Sequence, residues 1–208
     1  MNSVESTALP ASDEGSTPSL PPAPPAPGRP ILTLRRARPS DAASGARCHL
    51  LSWRTSYANW LSPSFMSTLD AQPFFGADRW RERCGPDRTT WVAVDAEADD
   101  EVYGFCTASA EPDEHGYYSL QTLYVRDEAK GCGVGRRLVE AALGKGTRAV
   151  TETGETYEPA RQFYEKMGFT RVTARFYEEH LGIWEVALAR DAGGPETPGV
   201  LPKLFKRK

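Results

Sequence analysis

The stretch that decides this sequence is Leu123–Leu138, "LYVRDEAKGCGVGRRL". A strand-like run, "YYSLQTLYV" (Tyr117 to Val125), leads into it. "RRLVEAAL" leaves it with helical spacing, Val134, Leu138 and Ala142 sharing one face. Between the two, Gly131, Gly133 and Gly135 alternate with Cys132 and Val134. A glycine-rich turn from a strand into a helix gathers N–H groups that have no partner inside the helix. The helix dipole adds partial positive charge at the same place. With no side chain at alternate positions, an anion reaches the main chain. Lys130–Arg136 is therefore expected to cradle a phosphate or pyrophosphate. It is not a P-loop, which needs G-x-x-x-x-G-K-[ST]. Nor is it the dinucleotide fingerprint G-x-G-x-x-G, because the third glycine position counted from Gly131 is Arg136.

Outward from the turn, strand and helix periods alternate. "ILTLRR" (Ile31 to Arg36) reads as a half-buried strand. A helix follows, with Ser40 or Asp41 as N-cap and Leu50, Trp53, Tyr57, Trp60 and Leu61 at helical spacing. "TWVAV" (Thr90 to Val94) and "VYGFCTASA" (Val102 to Ala110) read as strands joined by the acidic turn "DAEADDE". Beyond the glycine helix, "TRAVTET" reads as a strand and "EPARQFYEKMGF" as a helix. Pro159 stands in the first turn of that helix, Ala160, Phe163, Tyr164 and Met167 lie on one face, and Gly168 is the stop. "GIWEVAL" (Gly182 to Leu188) closes the body as a strand. The order β-α-β-β-β-α-β-α-β predicts an α/β (α+β) fold, a mixed sheet with helices on its faces.

The 208 residues fit one domain with tails. Residues 1–29, rich in Pro, Ser and Ala, are expected to be a disordered tail, 30–190 the folded domain, and 191–208 a flexible basic tail. A net charge of −3 argues against a nucleic-acid partner held by a strong basic field. Four scattered cysteines, with no C-x-x-C pair and three distant histidines, indicate neither a metal site nor a disulfide framework. Reduced thiols in a cytoplasmic protein are the simpler expectation. No apolar run reaches the ~18 residues of a membrane span, and no basic-then-apolar secretory signal opens the chain.

Two signatures in series carry a family resemblance. The first is [Q/R]-x-x-G-x-[G/A] at a strand-to-helix turn, met here by Lys130, Gly133 and Gly135, with lysine in the first place. The second is N-x-x-A-x-x-F-Y-x-x-x-G-F, met by "YEPARQFYEKMGF", with Tyr157 where the asparagine stands. With the earlier "VAV…VYGF" hairpin and "LRRARPSDA" in order, residues 31–190 resemble the GNAT superfamily of N-acetyltransferases. The resemblance implies a mostly antiparallel sheet with one splayed parallel strand pair, flanked by helices. It implies acetyl-CoA as the donor and direct transfer to an amine in a ternary complex, with no metal. The pantetheine arm would run along the main chain of Leu123, Tyr124 and Val125. The pyrophosphate would lie on the amides of Lys130, Gly131, Cys132, Gly133, Val134, Gly135 and Arg136. Tyr164 matches the tyrosine that donates a proton to the leaving CoA thiolate.

The acceptor implied is a primary amine on a small molecule, an amino acid or a peptide N-terminus. A homodimer is left open. For the base, Gln121 stands where the family sometimes carries a carboxylate, and Glu152, Glu155, Glu111, Glu114 and His115 are the other candidates. The aromatic residues Trp53, Tyr57, Trp60, Phe65, Phe74 and Phe75 and the loop before Tyr117 are expected to flank the acceptor. The alternative reading is a non-catalytic acyl-CoA-binding regulatory module of the same fold.

Overall fold

The computed structural model describes residues 30–191; the expected tails, 1–29 and 191–208, lie outside them apart from Asp191. Seven strands form one sheet in the order β1-β2-β3-β4-β5-β7-β6. They are β1 (Leu32–Arg36), β2 (Arg88–Asp95), β3 (Glu101–Ser109), β4 (Tyr118–Val125), β5 (Ala149–Gly154), β6 (Arg171–Glu178) and β7 (Ile183–Arg190). Every neighbouring pair is antiparallel except β4 and β5, which run parallel. The expected mixed, mostly antiparallel sheet with one parallel pair is thus observed.

Helices cover both faces: α1 (Ala42–Ser56), α2 (Pro63–Ser67) and α3 (Ala77–Arg81) on one, α4 (Val134–Leu143) and α5 (Glu158–Lys166) on the other. Alternation along the strands divides the core accordingly. Val92, Val94 and Phe105 turn toward α1 and pack with Cys48 and Trp80. Ala93, Cys106, Leu120, Val186 and Leu188 turn the other way and pack with Leu138, Val139 and Tyr164. Leu138 is wholly buried, which stabilises the domain by roughly 1.5–3 kcal/mol. No helix among the described residues is long and apolar enough to cross a membrane.

Two expectations need correction. The six strands read from sequence are seven, because Arg171–Glu178 pairs with β7 as an edge strand. At the start of α1, Asp41 holds the expected N-cap position, but its side chain caps the preceding turn instead of the helix. Its carboxylate accepts from the Arg38 N–H at 2.7 Å, within a short 3-10 turn that precedes the helix. It also holds the Arg35 guanidinium through two hydrogen bonds of 2.8 and 2.9 Å. Burial opposes the charge on Asp41, yet these donors outweigh it and keep the carboxyl below its ordinary range.

Candidate active site

The parallel seam between β4 and β5 is three residue pairs long: Tyr118, Ser119 and Leu120 face Ala149, Val150 and Thr151. It ends at a β-bulge. Thr107 of β3 stands opposite Thr122 and Ala108 opposite Leu120, so Gln121 is an extra residue on β4. Beyond it β4 keeps pairing with β3 but no longer with β5. Between the diverging strands opens a cleft of about 650 Å³, a size suited to a sizeable small-molecule ligand. Its β4 wall is Gln121 to Val125, and its β5 wall is Thr151, Glu152 and Thr153.

The glycine turn closes one end of the cleft. Lys130, Gly131, Gly133, Val134, Gly135 and Arg136 all line it. Gly131 and Gly133 have φ of 78° and 75°, a left-handed conformation that costs an L-residue about 1–2 kcal/mol. A Cβ on either would meet nothing within 4 Å, so the space beside the turn is open. Gly135 is needed for a different reason. A Cβ there would stand 3.3 Å from Cε2 of Phe163, where α4 meets α5. The first helical bond of α4 runs from the Arg137 N–H to the Gly133 carbonyl at 3.1 Å. The N–H groups of Val134, Gly135 and Arg136 before it have no helical acceptor. Two expected members stand differently. Cys132 is exposed and does not line the cleft, its thiol lying 3.6 Å from the Lys130 carbonyl. The Lys130 ammonium makes an ion pair with Asp127 at 2.5 Å.

Tyr164 lines the cleft from the α5 side and is 7% exposed. The end of its own helix fixes it. Gly168 turns left-handed at φ 87°, and the N–H groups of Gly168 and Phe169 return to the carbonyls of Glu165 and Tyr164, both at 2.9 Å. This is the Schellman arrangement, with Phe169 packed against Tyr164 at 5.7 Å between ring centroids. Burial pushes the Tyr164 phenol well above its ordinary pKa, while a hydrogen bond with Thr151 opposes the shift. The group therefore stays protonated at neutral pH.

The opposite face of β4 is aromatic. Tyr124 lies 4.6 Å from the His49 ring and 5.6 Å from Phe105. Phe74, Phe75 and Trp53 surround His49. Tyr57, at the end of α1, lines the cleft and meets Tyr157 at 5.3 Å. Tyr157 also meets Trp60 at 5.3 Å, so the residue in the asparagine position builds an aromatic wall.

Of the candidate bases, Gln121 and Glu152 line the cleft. Glu155 is held by Arg175 at 2.6 and 2.8 Å. Glu111, Glu114 and His115 precede β4, whose cleft-lining residues begin only at Gln121, and none of the three lines the cleft. Sequence reasoning passed over Glu185 of β7. It is a diagonal neighbour of Glu152, since Gly154 faces Glu185 and Glu152 faces Ala187. Burial, together with the Glu152 charge, pushes the Glu185 carboxyl up to about 7.

A family model described as an acetyltransferase (GNAT) domain matches residues 86–171, from β2 into β6. Over that segment the chain is similar to GNAT acetyltransferases. Among curated relatives, the peptidyl-lysine N-acetyltransferase YjaB of Escherichia coli (strain K12) is 36% identical over 97 residues, covering 47% of this chain and 59% of that protein. The chain thus spans less than two thirds of that relative's length. The solution structure of apo-form YjaB from Escherichia coli superposes with a TM-score of 0.57 at 27% identity, covering 78% of this chain and 99% of that one. The PaiA N-acetyltransferase of Thermoplasma acidophilum, solved in complex with coenzyme A, shares the fold with a TM-score of 0.56 at 16% identity, covering 76% and 98%. The GNAT match leaves out α1 and α3, which build the aromatic face.

Proposed function

We propose that this protein is a GNAT-family N-acetyltransferase that moves the acetyl group of acetyl-CoA to a primary amine by direct attack in a ternary complex. The observation that carries the reading is the cleft itself: an unpaired strand edge, a glycine turn and a buried tyrosine open onto one space. The open edge of β4 at Leu123, Tyr124 and Val125 offers main-chain groups to the pantetheine arm. The turn from Lys130 to Arg136 offers N–H donors to the pyrophosphate. Tyr164 supplies a neutral phenol. As the amine attacks the thioester carbonyl and the C–S bond breaks, the phenol donates a hydrogen bond and then its proton to the departing thiolate. Because burial raises its pKa above that of a thiol, full proton transfer stays uphill until the proton released by the attacking nitrogen replaces the one the phenol gives up. Its contribution should fall within the roughly 10²–10⁴ of general acids. The name of the Escherichia coli relative fits an amine acceptor.

The test is a thermal-shift titration of the full chain with acetyl-CoA, beside ATP and NAD. Near 100 Kd, acetyl-CoA should add about 2.7 kcal/mol, a Tm rise of roughly 5–10 °C for a chain of this size. Tyr164→Phe should keep that rise and lose about 10²–10⁴ in kcat. No rise with any CoA ester would sink the reading.

A further inference from the structure

One cation on the aromatic face of β4 makes no ion pair among the described residues. Arg83 lies on the 3-10 turn Glu82–Cys84 that follows α3. Its side chain runs inward over Phe105, with Cζ 5.4 Å from the ring centroid. Nη1 donates to Thr122 Oγ1 at 3.3 Å, and Nε is buried without a hydrogen-bond partner. Among the described residues no carboxylate makes an ion pair with it. Neighbouring Arg79 and Arg88 add positive field, but each is already paired, with Glu82 and Asp87 respectively. Burial pulls the Arg83 pKa down to about 10, a desolvation that the nearby Tyr124 and Glu82 offset only in part.

Beside it stands His49, 3% exposed, with Nδ1 buried and unpartnered. Burial and the Arg83 charge keep that imidazole neutral. Thr122, which holds Arg83, is itself a wall of the cleft. Removing a charge from water is expensive, and a cation retained this way is satisfied when an anion arrives from outside.

We propose that Arg83, with His49 beside it, binds a carboxylate of the acceptor, so that the amine acetylated belongs to an amino acid or an amino-acid-like carboxylate. The proposal rests on the transferase reading above and specifies its acceptor. A guanidinium presents a planar fork that fits a carboxylate through two parallel hydrogen bonds. One unpaired cation and one neutral imidazole balance a single negative charge. A phosphomonoester would bring about −1.5 to −2 and overfill the site. Tyr57 and Tyr157, which line the cleft and meet at 5.3 Å, supply walls for an apolar side chain.

The experiment uses the full chain, saturating acetyl-CoA and matched acceptors that differ only in a carboxylate. The pairs are L-lysine and 1,5-diaminopentane, L-phenylalanine and 2-phenylethylamine, and L-methionine and 3-(methylthio)propylamine. The carboxylate-bearing member of at least one pair should be favoured about tenfold or more in kcat/KM, as a hydrogen bond to a charged group supplies. Arg83→Met should lower kcat/KM for that member by roughly 10–100-fold, chiefly through KM, and collapse the preference. Arg83→Lys, which keeps charge but loses the fork, should restore part of it. A purely structural Arg83 would depress both members alike, and that result overturns the proposal. So does equal or better turnover of the amines lacking a carboxylate, which needs no variant to fold. Turnover of peptide lysines or N-termini with no turnover of any free amino acid overturns it too, while leaving the transferase reading intact. Absence of acetyl-CoA binding would instead strike at the transferase reading itself.

Discussion

The two sides of β4 are built by opposite means. The cleft side uses mostly main chain: a bulge at Gln121, an unpaired strand edge and a glycine turn, all within Gln121–Arg136. The other face uses side chains brought from α1, from the turns around Phe74, Phe75 and Arg83, and from β4 itself. Recognition written in the backbone depends on where residues are absent, and it tolerates most side chains. Recognition written in side chains depends on each one and on what packs behind it.

That contrast can be broken in three places. The largest effect belongs to the aromatic face. A Cβ on Gly45 of α1 would fall 2.2 Å from Cε2 of Trp80, which is wholly buried and has nowhere to move. Gly45→Ala should cost about 3 kcal/mol, the upper end of overpacking penalties, read as a lower urea midpoint at unchanged slope. A neutral result would mean this face is as permissive as the turn.

A smaller effect lies at Glu185. Its carboxyl is raised from an ordinary 4.5 to about 7, so the folded state holds that proton more tightly than the unfolded chain. The stability this contributes is complete below about pH 4.5 and is lost as pH rises through 7. Glu185→Gln should remove about 1–2 kcal/mol of that pH dependence, a value reduced because water screens a half-buried group. A pH–stability profile identical to that of the parent would show that the carboxyl titrates normally. The smallest effect is expected at Cys132, exposed on the turn and outside the cleft lining. Cys132→Ser should leave acetyl-CoA affinity within about twofold, since exposed substitutions away from special features stay within ±0.5 kcal/mol. A tenfold loss would mean that the thiol, not the main chain, recognises the donor.

The same contrast explains what was legible in the sequence. The strand-turn-helix around Gly131–Gly135 and the Gly168 stop announce themselves locally, because glycine has few other uses at such positions. The α5 face bearing Tyr164 follows from helical spacing alone. Strand β6 did not stand out for two reasons. A bulge lies between Val172 and Ala174, which face the successive β7 residues Leu188 and Ala187, so the alternation slips phase partway along. The strand also sits at the sheet edge, where Val172 and Tyr177 are half exposed and its pattern resembles a loop. Arg83 was illegible for another reason. "RWRERCGPDR" holds four arginines, and only the folded chain determines which one is desolvated over Phe105. Glu185 likewise acquires its character from Glu152, 33 residues earlier in the chain and its neighbour only through β-pairing.

The three-pair seam has a mechanical consequence. Among the described residues it is the sole ladder joining β1–β4 to β5–β7, so in backbone pairing the sheet is two plates with a short weld between them. A ligand lying in the gap beyond the weld would bridge the plates and stiffen both. On the proposed reading, loading the donor and making the molecule rigid are one event, and product release hands that rigidity back.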